Sequence, residues 1–111
     1  MLLFQPEHIQ MNIDGRKTET RRLWIKPRAR VGSLHQQKTD FTKKHYGYLA
    51  IEQVFQEPLL NITEEGANRE GGYTREQYLT LWFKINPNSP PNPLVFVIRY
   101  RYHGIGKGED A

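Results

Sequence analysis

The chain has 111 residues, no cysteine and a formal net charge of +4. That length fits one domain with one modest core. The cysteine count excludes disulfides and cysteine-ligated zinc, and no apolar run is long enough for a membrane-spanning helix. Hydrophobic residues make up only 37%, so two Trp, six Tyr and five Phe must supply much of the packing volume. The N-terminus lacks the basic region of a signal peptide, and the chain reads as soluble and cytoplasmic. Charge is unevenly spread: residues 1–44 hold ten Lys/Arg and four Asp/Glu, and residues 45–111 hold six and eight. A basic half can attract phosphate and polyanions, or it can be a solvated face.

In chain order, Leu2-Leu3-Phe4 reads as a short buried strand. Pro6 suits the first turn of a helix, Ile9 and Ile13 repeat at helical spacing, and Gly15 supplies a stop. A helix is therefore predicted from Pro6 to Asp14. Residues 18–24 read as extended. Lys26 to Arg30 is a basic loop, Val31-Gly32 a turn, and Ser33 to Lys38 a strand. Asp40 to His45 is a polar, basic loop. Tyr46 to Glu57 alternates like a long strand with one mostly apolar face.

Two short helices follow. Thr63 caps the first, with Glu64 and Glu65 in its first turn, and it ends near Gly71-Gly72. Thr74 to Gln77 fits a capping box for the second, whose stripe is Tyr78, Leu81, Trp82 and Ile85. A proline-rich loop leads to a last strand, Leu94 to Tyr102. The expectation is a single α+β domain over residues 1–103, a small, partly closed barrel flanked by short helices, with 104–111 as a disordered tail.

The densest chemistry is Gly15-Arg16-Lys17-Thr18-Glu19-Thr20-Arg21-Arg22, at the junction of the first helix and the second strand. It gathers cations and hydroxyls where the backbone changes direction, which suits an anionic or polar ligand or a nucleophile with a basic neighbour. Residues 17 and 20 point to opposite faces of a regular strand. They converge only if Lys17 lies in the turn before pairing begins. The four histidines do not show metal-ligand spacing, and no metal or other cofactor is expected.

Gly15-x-Lys17-x-x-x-x-Arg22 resembles the motif of the ASCH domain, a relative of the PUA fold, and the strands and helices fall in that family's order over residues 2–102. The resemblance implies a β-barrel with a cleft beside helices and a role at RNA or modified nucleosides. Some members are amidohydrolases that deacetylate N4-acetylcytidine; others are reported to cut or bind RNA. The amidohydrolases use a lysine, a threonine and a glutamate. The matching positions are Lys17 and Thr20 in Gly15-Arg16-Lys17-Thr18-Glu19-Thr20, and Glu70 before the second of the two short helices. One departure is Gly32-Ser33, where those enzymes carry Gly-Asp. By this reading Lys17, Thr20 and Glu70 are the catalytic candidates. Arg16, Arg21, Arg22, Lys26, Arg28 and Tyr73 are candidates for binding substrate or RNA. A non-catalytic RNA-binding module and a ribonuclease are the alternatives.

Overall fold

The protein is described by a computed structural model covering residues 1–107. Among the described residues five strands and three α-helices follow one another as β1 (Leu2–Leu3), α1 (Pro6–Asp14), β2 (Glu19–Arg22), β3 (Leu34–Lys38), β4 (Tyr48–Pro58), α2 (Glu64–Arg69), α3 (Arg75–Ile85) and β5 (Leu94–Gly104), with a 3-10 turn at Leu59–Asn61 between β4 and α2. β5 thus runs two residues beyond its expected end, and residues 108–111 of the expected tail lie outside the described residues.

The strands form one mixed sheet in the order β1-β3-β4-β5-β2. β1 pairs with β3 in parallel, and the other neighbours are antiparallel. The sheet is open, so the expected barrel closure is not formed. β1 and β2, the two edges, do not pair; Leu3 on one and Thr20, Arg21 and Arg22 on the other line a cleft instead. Two residues of β1 and four of β2 offer little backbone for a closing ladder, and side chains take up the gap.

Both faces of β5 are covered, so it reads as a near-continuous apolar run. Phe96, Ile98 and Tyr100 join Leu2, Phe4 and Ile9 in one core, and Val95 and Val97 join Leu59, Ala67, Tyr78 and Trp82 in a second beneath α2 and α3. β4 departs from strict alternation. Ile51 pairs with Tyr100 and Gln53 with Arg99, so Glu52 is an extra, unpaired residue. This bulge reverses the parity: Leu49, Ile51 and Val54 face the first core, whereas Phe55 packs on the second.

The helix ends carry their local signals. α1 ends at Gly15 with φ 80°, a left-handed conformation that disfavours a β-carbon. Thr63 Oγ1 accepts from Gly66 N at 3.0 Å to start α2, and Thr74 and Gln77 form the capping box of α3. A buried polar set ties α1 to the sheet: Tyr100 donates to Asn12 Oδ1 at 2.5 Å, and Asn12 Nδ2 donates to Gln37 Oε1 at 2.9 Å.

Candidate active site

The turn after α1 brings Lys17 inward. Past Gly15, the amides of Arg16 and Lys17 both donate to Met11 O, at 2.9 and 3.1 Å. The Thr18 amide then donates to Arg69 O at 2.9 Å, which docks this segment on the C-terminal end of α2. Lys17 Nζ donates to Glu70 O at 2.8 Å, to Glu70 Oε1 at 2.9 Å and to Glu19 O at 2.9 Å. Three acceptors match the three protons of an ammonium. The cation also meets the carbonyl end of α2, where positive charge is favoured.

Behind this pair stands a buried ionic network. Glu70 Oε2 accepts from Arg21 Nη1 at 3.0 Å, and the same nitrogen donates to Glu19 Oε2 at 2.5 Å. Arg21 Nη2 reaches Glu57 Oε1 at 3.0 Å. Glu19 Oε1 accepts from Arg99 Nε at 2.7 Å and Arg69 Nε at 3.0 Å. The side chains of Lys17 and Glu70 are 2% exposed, and that of Glu19 is 0% exposed. Burial pulls the Lys17 pKa below that of a solvated lysine, against the opposing pull of the Glu70 carboxylate. Burial also opposes the Glu19 charge, but its bonds to Arg99, Arg21 and Arg69 win and hold its carboxyl below the usual range. Arg21 Nε is buried without a partner, the one such side-chain atom among the described residues.

Lys17, Thr20 and Glu70 all line one cleft of about 250 Å³. Leu81, Trp82 and Tyr78 of α3 wall it on one side and Phe4 and His8 on another. The volume lies just below the roughly 300–1,000 Å³ of pockets for drug-sized ligands. It suits a compact ligand better than a strand of nucleic acid. Thr20 Oγ1 accepts from Arg22 Nε at 3.0 Å, and none of the described residues accepts the hydroxyl's own proton. Lys17 precedes β2, so the amine and the hydroxyl share a cleft although their numbers differ by an odd step. Burial, then the Lys17 charge, lowers the His8 pKa to about 4, and its Nε2 lies 2.9 Å from Tyr73 Oη. Burial and the Glu70 charge raise the Tyr78 pKa.

At the level of sequence, no family profile and no curated protein matches the chain. Solved structures do. Two variants of ZmASCH from Zymomonas mobilis superpose with TM-scores of 0.68 and 0.67, at 18% and 17% identity. Those matches cover 93% of this chain and 68% and 67% of theirs. A DUF984 protein of Enterococcus faecalis V583 gives a TM-score of 0.70 at 16% identity, over 96% of this chain and 84% of that one. The chain has an ASCH-like fold.

Within the ASCH-like fold, Gly15, Lys17 and Arg22 turn the chain, pair with Glu70 and line the cleft, respectively. Of the sequence candidates, Lys17, Thr20, Glu70, Arg21 and Arg22 come together there. Arg21 lies in the ionic network rather than free for a ligand. Arg16 is exposed and paired with Asp14 at 2.9 Å. Lys26 and Arg28 are exposed and do not line the cleft, and Tyr73 stands outside it against His8. The sequence reading missed Glu19, Arg69 and His8, and left Arg99 open between a cleft and solvent. Glu19 sits two residues from both Lys17 and Arg21, a same-face pattern of alternating charge that marks it in retrospect. Among the described residues no group of three His, Asp or Glu side chains gathers as a metal ion would require.

Proposed function

We propose that this protein is an amide hydrolase that deacetylates N4-acetylcytidine-type nucleosides. The observation that carries the reading is the meeting of Lys17, Thr20 and Glu70 in one small cleft. Thr20 Oγ attacks the acetyl carbonyl carbon while its proton passes to the Lys17–Glu70 pair. The tetrahedral intermediate then collapses, the C–N bond breaks, and Lys17 returns the proton to the leaving amine. Water cleaves the acetyl ester on Thr20 by the same proton route and releases acetate. In a variant of this scheme, Lys17 and Glu70 activate the water directly and Thr20 binds the acyl group.

Lys17 accepts a proton only when neutral. A neutral amine keeps two N–H groups, enough for the two backbone carbonyls, and then turns its lone pair to Glu70 Oε1. That contact is favourable only when Glu70 holds the proton. Lys17 and Glu70 therefore work as one proton-sharing pair, with Arg21 Nη1 donating to the other carboxylate oxygen, Oε2.

Wild type and Lys17→Ala incubated with N4-acetylcytidine test the reading. Release of cytidine and acetate by the wild type, lost in the variant, is expected; no release, or unchanged turnover in Lys17→Ala, overturns it. A second reading, RNA binding, draws on the exposed cations Lys26, Arg28, Arg30, Lys43 and Lys44. It requires affinity for short RNA to fall steeply as salt rises.

A further inference from the structure

One cation of the cleft has no counter-charge. Of the cleft-lining cations, Lys17 and Arg21 each meet a carboxylate, whereas Arg22 makes no ion pair among the described residues. Its guanidinium lies over the Phe4 ring, 4.8 Å from the ring centre, which fixes its plane and excludes water from one side. Its Nε is committed to Thr20 Oγ1 at 3.0 Å. The two Nη groups have no partner among the described residues and keep some accessible surface. Arg22 lines the cleft with Thr20. A guanidinium half-removed from water and without an acid is a site prepared for negative charge.

A neutral acyl amide brings no such charge when it binds. Charge develops only as the hydroxyl adds to the carbonyl, on the acyl oxygen next to the attacking atom. We infer that Arg22 is a catalytic residue of the reaction proposed above, its Nη groups binding the acyl oxyanion and afterwards the carboxylate of the acetate product. This role rests on the amide-hydrolase reading, but the anion site itself rests on the unpaired guanidinium. A fixed donor aimed at developing charge accelerates the chemical step without tightening substrate binding.

Two measurements on the full chain test it separately. The first is sodium acetate titration of the wild type, Arg22→Gln and Arg22→Lys, followed by the NMR signal of the Arg22 side-chain N–H in the wild type and by backbone amides of Thr20 and Leu23 in all three. Acetate should move the Arg22 signal, and saturable shifts at the amides should vanish in Arg22→Gln and persist, weaker, in Arg22→Lys. An unmoved Arg22 signal, or equal shifts in wild type and Arg22→Gln, overturns the anion site. The second is turnover of N4-acetylcytidine. Arg22→Gln should lower kcat by about 10²-fold with KM within about threefold. A kcat close to wild type, or a loss confined to KM, overturns the catalytic role. Wild type that binds acetate at Arg22 but does not turn over N4-acetylcytidine leaves the anion site standing and overturns both the hydrolase reading and the catalytic role.

Discussion

Lys17 is 2% exposed, and three oxygens stand in for the solvent around its amine. Removing one partner of such a pair leaves the other charge buried. Lys17→Met and Glu70→Met should each cost about 3–5 kcal/mol in urea unfolding. The double substitution should cost less than the two losses combined, since neither charge is then stranded. His8 gives a separate readout. Its pKa is about 6.5 unfolded and about 4 in the fold. Between those values the unfolded chain binds a proton that the native one does not, so stability falls as pH drops from about 6.5 to about 4. The loss from this group reaches up to about 3 kcal/mol. Urea midpoints at pH 7 and pH 4.5 should converge in His8→Gln relative to wild type; an unchanged gap would refute the buried neutral imidazole.

At the scale of elements, local chemistry carried most of the message. Pro6 and Gly15 bracket α1, and the Thr74–Gln77 box opens α3, because these signals act within a turn or two of chain. Thr74→Ala should lower stability by about 1 kcal/mol through the lost cap, read as a shift in thermal midpoint without loss of the fold. The bulge at Glu52 was not legible. An extra residue leaves the composition of β4 unchanged, and only pairing with β5 exposes it. Deleting Glu52 should be mild, because it closes the bulge and leaves Gln53 opposite Arg99 and Val54 opposite Ile98, so no side chain changes face. A retained cooperative unfolding transition is the expected result, and its loss would contradict this account of the bulge. Glu19 escaped the sequence reading for a related reason. An acid among bases reads as solvated until the ladder sets it against Arg99, eighty residues along the chain.

Over the whole molecule, the mixed α+β class and the element order followed from patterning, whereas the open sheet did not. Closure depends on whether two short edge strands meet, and no local residue preference decides that. The gap left between β1 and β2 is the cleft, so the part of the architecture least visible in the sequence is the part that makes a site. Its contents were more legible, since a lysine in the turn, a threonine in the strand and a glutamate at the end of α2 were each singled out before they met. The central claim is that Lys17 and Glu70 act as one proton-handling unit on an acyl group held beside Thr20. A double-mutant cycle on kcat/KM for N4-acetylcytidine, using wild type, Lys17→Ala, Glu70→Gln and the double variant, tests it most directly. A unit predicts that the double variant is no slower than the worse single one. Losses that multiply, or a single variant with wild-type turnover, would contradict it.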